Sequence, residues 1–199
     1  MLLLRRPEPT DSQPRRRFLT GAATLSATAV ALLVGRESLA QGAGYSSATA
    51  GNDLQILMTA CGLELQAVGA YTIAAKSGLV QQPVLNFAVL FRSQHQGHAD
   101  ALAGAIRKMG GNPPVPKSEA EYAAAINAAA LKTQADVLRA AIGLEKGAAN
   151  AYIRAIPQFA DRGLAQVAGR IEADEVMHWT TLAAVTGTPL PQPPLSWGA

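Results

Sequence analysis

Gly62-Leu63-Glu64-Leu65-Gln66-Ala67-Val68-Gly69-Ala70-Tyr71 and Gly143-Leu144-Glu145-Lys146-Gly147-Ala148-Ala149-Asn150-Ala151-Tyr152 are two versions of one phrase, 81 positions apart. They agree at Gly, Leu, Glu, two alanines and Tyr. A second repeat accompanies the first: His98, Leu102 and Ala103 return as His178, Leu182 and Ala183, at an offset of 80. Offsets this similar make the chain two related halves, each with one glutamate-bearing and one histidine-bearing segment. Halves that meet about a pseudo-twofold axis bring their special residues to one central point.

Apolar residues around these phrases step by threes and fours, the period of a helix buried on one face. The first helix is expected from a cap at Asn52 to about Ser77, facing inward with Leu54, Leu57, Cys61, Glu64, Val68, Tyr71 and Ala75. Gly78 and Pro83 bracket a short turn, with Pro83 at the first position of helix two. That helix turns Val84, Ala88, Phe91, His95, His98, Leu102, Ala105 and Met109 inward and stops at Gly110-Gly111-Asn112-Pro113-Pro114. Ser118 and Glu121 form a capping box for a short helix to about Ala129. Thr133 with Asp136 opens the third long helix, with Leu138, Ile142, Glu145, Ala149, Tyr152 and Ile156 inward, and Pro157 ends it. Asp161 caps the fourth, whose stripe is Leu164, Ala168, Ile171, Glu175, His178, Leu182 and Val185. The proline-rich tail from Pro189 reads as extended chain. Short turns make helices one and two, and three and four, antiparallel hairpins. About twenty residues join the hairpins, a long connection for a bundle.

A chain of 199 residues accommodates one ordinary domain and a leader. Aromatic residues are 5%, which disfavours β-sheet and suits close-packed, alanine-rich helices. The basic balance is confined to residues 1–40, which hold six arginines against three acids; the remainder carries 11 of each sign. The body therefore offers no electrostatic case for binding nucleic acid or an anionic membrane. Cys61 is the only cysteine, so no internal disulfide can form, and on an apolar stripe it reads as a small buried hydrophobe.

Within the first forty residues, Arg15-Arg16-Arg17-Phe18-Leu19 resembles the twin-arginine export signature. A weakly apolar run follows to Gly35, and Ser38-Leu39-Ala40 places small residues where a signal peptidase reads, predicting cleavage before Gln41. The alternative is an uncleaved anchor, since the run approaches the length of the shortest spanning helices, roughly 17 residues. Weak hydrophobicity and the small-residue exit favour cleavage, a periplasmic destination and no lasting membrane insertion. The expected division is thus a twin-arginine signal at 1–40, a flexible linker at 41–51, a helical domain at 52–187 and a tail at 188–199.

Six ionisable side chains fall on inward stripes: Glu64, His95, His98, Glu145, Glu175 and His178, including every histidine of the chain. Burying one unpaired carboxylate costs several kcal/mol, and three at one level also repel each other. A divalent cation relieves both problems and explains the imidazoles. Glu175 and His178 are three apart and share a helix face, as do His95 and His98. The competing reading is a metal-free, salt-bridged core.

On these residues the chain resembles the ferritin-like di-iron and di-manganese proteins. That family uses one glutamate from each of two helices and Glu-x-x-His from each of the other two, in a bundle with a single long crossover. Glu145 and Glu175-Val176-Met177-His178 match one half, and Glu64 with His98 matches the other. A tyrosine seven residues after each helix glutamate, Tyr71 and Tyr152, is a further shared feature. The resemblance spans most of residues 52–187. His95 departs, standing where the pattern has glutamate. Three carboxylates then face two dications, which leaves open an asymmetric site, a single ion, or zinc or manganese in place of iron.

The resemblance implies an all-α, ferritin-like four-helix bundle holding two divalent ions, iron or manganese before zinc. The implied chemistry is ferroxidase-like oxidation or peroxide disproportionation in stress protection, with O2 or peroxide as partners; the leader itself adds delivery by the twin-arginine machinery, and the alanine-rich outer faces permit a homodimer. Tyr71 and Tyr152 read equally as redox or hydrogen-bonding partners of the site and as core residues. Glu172 reads as a surface acid or as an outer ligand, and Trp179 as packing. The rival function is a non-enzymatic bundle with a degenerate or single-metal site, which His95 favours.

Overall fold

The computed structural model describes residues 47–197. The expected signal and residues 41–46 of the expected linker lie outside the described residues. Five α-helices carry the chain: α1 Ser47–Lys76, α2 Val84–Lys108, α3 Glu119–Ala125, α4 Gln134–Ala155 and α5 Arg162–Thr186. Single 3-10 turns follow α3 (Ala128–Ala130) and α4 (Ile156–Gln158), and no strand occurs among the described residues. The fold is all-α. α1 packs chiefly on α2 and α4 on α5, and the connection carrying α3 runs between the two hairpins.

Local chemistry accounts for most helix ends. Ser118 with Glu121 and Thr133 with Asp136 form complete capping boxes for α3 and α4. Asp161 caps α5 through the amides of Gly163 and Leu164, and left-handed Gly187 (φ 66°) closes it. Three expected boundaries shift. The helix over residues 47–51 replaces the expected linker, because nothing in Ala48-Thr49-Ala50 breaks a helix and Gly51 costs only about 1 kcal/mol. Asn52 is consequently inside α1, where its amide donates to the Gln158 carbonyl at 3.1 Å instead of capping. Pro83 is the N-cap of α2, one position earlier than expected. α3 stops at Ala125, not near Ala129, because Asn127 turns left-handed (φ 50°).

The inward stripes hold with one exception. Val185 is 43% exposed, because the buried face of α5 swings toward Trp179 and Ala183. There Trp197 of the tail packs edge-on against Trp179, ring centres 5.7 Å apart. Apolar residues form two clusters. One contains Leu57, Cys61, Leu102, Ile106 and Ile171; the other contains Val84, Phe91, Leu138 and Leu182. On α2, α4 and α5 the expected ligands fall between these clusters in sequence, and on α1 Glu64 adjoins Leu65 at the edge of the first, so the polar cluster is flanked above and below by packed apolar side chains.

Two contacts tie the loops down. Tyr122 of α3 lies against Gly69 of α1 so closely that a Cβ on Gly69 would fall 2.4 Å from the ring. Only glycine admits the crossover at that point. Asp53 is completely buried, and its carboxylate accepts from the amides of Ala160 and Asp161, each at 2.9 Å. It binds the start of α1 to the turn entering α5. Asp53→Ala leaves two amides without their acceptor, and each charge-assisted bond is worth about 1.5–3 kcal/mol. Thermal unfolding of Asp53→Ala is expected to fall by several degrees, with Asp53→Asn intermediate; an unchanged transition would show that the tie carries no stability.

Candidate metal centre

Four helices each deliver one part. α1 supplies Glu64 and Tyr71, α2 His95 and His98, α4 Glu145 and Tyr152, and α5 Glu175 and His178. All six expected ligands are buried, Glu175 and His178 completely and His98 least, at 9% exposure. They form two overlapping groups, Glu64, His95, His98 and Glu175, and His95, Glu145, Glu175 and His178. Within each group, one ligand atom per residue lies within 4.8 Å of all the others. His95 and Glu175 belong to both.

His95 lies between the helix glutamates: Nδ1 is 2.8 Å from Glu64 Oε2 and Nε2 is 3.2 Å from Glu145 Oε1. His98 Nδ1 lies 3.3 Å from Glu64 Oε2, and His178 Nδ1 lies 3.2 Å from Glu145 Oε2. The tyrosines cross over. Tyr152 on α4 donates to Glu64 on α1 at 2.5 Å, and Tyr71 on α1 donates to Glu145 on α4. Each tyrosine thus holds the glutamate of the opposite half. Aromatic rings complete the wall: Tyr71 stacks on His95 and Phe91 on His178, with centres 5.5 and 4.1 Å apart.

Glu175 is different. Its Oε1 lies 3.3 Å from His98 Nδ1 and 3.5 Å from His95 Nδ1, yet neither carboxylate oxygen accepts an aligned hydrogen bond. Burial raises its carboxyl to about 8, outweighing the His98 imidazole, and the charge of Glu64 pushes the same way. Burial also opposes ionisation of Glu64 and Glu145, but hydrogen bonds from the histidines prevail and hold both well below the usual carboxylate range. Burial disfavours the cationic histidines too. The carboxylates win there, holding His95 at about 10 and His98 at about 11. Burial and neighbouring glutamates raise both tyrosines, which therefore remain protonated donors.

A buried carboxylate with two idle oxygens, facing imidazoles and further carboxylates, is a donor set suited to divalent iron, manganese or zinc. Two outer residues were not singled out by sequence. His98 Nε2 lies 3.1 Å from Asp174 Oδ2, and His178 Nε2 lies 2.8 Å from Gln94 Oε1. Such partners fix which nitrogen faces the centre, here Nδ1 in both rings. Their signal was present, since Gln94 and Asp174 each precede an expected ligand by one residue and are themselves 80 apart. Glu172 is half-buried with its carboxyl raised by burial, and lies outside both ligand groups. Trp179 is buried packing, with the Lys146 ammonium 5.4 Å from its ring centre.

Among solved structures, a conserved hypothetical protein of Mycobacterium tuberculosis is similar in fold, with a TM-score of 0.59. The two are 18% identical, and the alignment covers 73% of this chain and 98% of that one. No curated protein matches the chain. The family described as the ferritin-like domain matches residues 52–188. Since that match takes in α2, α4, α5, most of α1 and every residue of the cluster, the protein belongs to the ferritin-like domain family.

Proposed function

We propose that the protein is an exported metalloprotein whose two groups each hold a divalent iron or manganese ion that reacts with O2 or peroxide, as protection against oxidative or desiccation stress. The observation that carries this reading is Glu175, completely buried where the two groups meet, with neither oxygen accepting an aligned hydrogen bond. Bound iron or manganese would supply open coordination positions and a change of oxidation state. The chain's own residues do the rest. Glu64 and Glu145 anchor opposite sides, while Tyr152 and Tyr71 keep a phenolic proton against each. Phe91 and the apolar clusters exclude bulk water. A cavity of about 70 Å3, lined by Tyr71, Val80, Val84, Leu138 and Leu182 among others, is almost wholly apolar and suits a small apolar oxidant.

The rival reading, a non-enzymatic bundle with one structural ion, is favoured by His95 and separated by metal content. Purified protein is expected to carry about two equivalents of iron or manganese and to turn over O2 or peroxide. Replacing Glu145 and Glu175 together by alanine should abolish metal retention; retention at the wild-type level would refute the ligand assignment. Substoichiometric zinc without turnover would favour the rival.

Metal binding should also depend on pH in a definite direction. Near neutrality, without metal, Glu175, His95 and His98 each hold a proton that a cation must displace. All three groups lie above their ordinary values, so affinity rises with pH. Between about pH 6 and about pH 7.5 it should climb by up to about a thousandfold per unit, the limit for three protons released. Calorimetric titration with Mn2+ in buffers of different ionisation enthalpy counts them directly; a pH-independent affinity would contradict this protonation pattern.

Export rests on Arg15 and Arg16 and is tested separately. Replacing both by lysine should retain the full chain in the cytoplasm, while the unaltered chain appears in the periplasmic fraction. Equal distribution of the two would remove the twin-arginine assignment.

A further inference from the structure

Residues 80 apart on α2 and α5 occupy equivalent places about the centre: Gln94 with Asp174, His95 with Glu175, and His98 with His178. The third pair is identical, and the first two differ in charge. α2 presents an amide and an imidazole where α5 presents two carboxylates. The contacts cross between halves, so Asp174 of α5 backs His98 of α2, and Gln94 of α2 backs His178 of α5. His98 therefore rests on an anion and His178 on a neutral group.

A neutral imidazole has one lone pair, so His95 can ligate only one ion. Its Nδ1 faces two glutamates of the first group, Glu64 at 2.8 Å and Glu175 at 3.5 Å. Its Nε2 faces Glu145 alone, at 3.2 Å, so a cation at Nδ1 meets two carboxylates and a cation at Nε2 only one. The lone pair then belongs to the first group.

The geometry points to two unequal metal positions that fill in order. The tight position is held by Glu64, His95, His98 and Glu175 with Asp174 behind it; the weak one is left to Glu145, His178 and the shared Glu175. Four protein ligands and an outer anion favour the first. Three ligands and a neutral outer amide leave the second weaker and more open, the arrangement expected where a ligand exchanges. Asp174 is a positioning residue: a carboxylate behind a ligating imidazole fixes its ring and strengthens its lone pair. It also returns the negative charge lost at His95. With Asp174 counted, four carboxylates balance two dications.

This inference rests on the two-metal reading, and one titration tests both distinguishably. The full chain, stripped with a chelator, is titrated with Co2+ while its visible absorption is followed. Two steps at least about tenfold apart in affinity are expected, the tight one lost in Glu64→Ala and the weak one in Glu145→Ala. Asp174 is half-exposed, so Asp174→Asn tests its role without disturbing the core. That variant should weaken the tight step by about 10–100-fold and leave the weak one nearly unchanged. Asp174→Glu should restore part of the loss, which a merely structural role would not produce. His95→Glu should draw the two steps together. Two equivalents entering in one indivisible step, or loss of the weak step in Glu64→Ala, would overturn the order while leaving the two-metal reading intact. A single equivalent, lost in Glu64→Ala and kept in Glu145→Ala, would end the two-metal reading and the order of filling together. Absence of Co2+ binding would end both.

Discussion

Glu175 is completely buried, and neither of its oxygens accepts a hydrogen bond from the protein. A carboxylate in that position costs several kcal/mol, which a single well-packed leucine, contributing about 1.5–3 kcal/mol, does not offset. An apolar side chain there would give a more stable bundle. Either the proton it holds near neutrality or a cation in that proton's place neutralises it, and the surrounding architecture is arranged around that requirement. Two imidazole nitrogens and two glutamates approach it from three other helices, and aromatic rings separate the group from water.

The rest of the fold holds this arrangement still. Apolar clusters lie on either side of the polar cluster along the helices. The crossed tyrosines couple the two hairpins at the centre, because each reaches from its own half to the glutamate of the other. Asp53 couples them again at one end of the bundle, and Tyr122 presses the crossover onto Gly69. The same near-symmetry makes the differences informative. With the histidines at 98 and 178 identical, the contrast between Gln94-His95 and Asp174-Glu175 shows where the two halves have diverged in charge.

Much of this was legible from residue spacing alone, for identifiable reasons. A buried helix face repeats every three or four residues, so Leu57, Cys61, Glu64 and Tyr71 declare a common side whatever packs against them. Capping boxes are local, and Ser118 with Glu121 and Thr133 with Asp136 could be read within four residues. Contacts across the bundle were less visible. Asp53 is an ordinary acid near a helix start until the amides of Ala160 and Asp161 arrive from more than a hundred residues away. Asp174 and Gln94 were not singled out, because their roles depend on imidazoles of the opposite half. The early start of α1 was missed for another reason. Small residues such as Ala48, Thr49 and Ala50 are compatible with both linker and helix, so local propensity did not separate the two.

The central claim is that divalent ions replace the protons that Glu175, His95 and His98 hold in a buried cluster of carboxylates and imidazoles. Diffraction data collected on either side of the iron or manganese absorption edge, from crystals of the metal-supplied protein, test it most directly. The account requires anomalous density inside the bundle at Glu175, with one peak toward Glu64 and His98 and another toward Glu145 and His178. Well-ordered side chains at these positions with no anomalous density among them would contradict it.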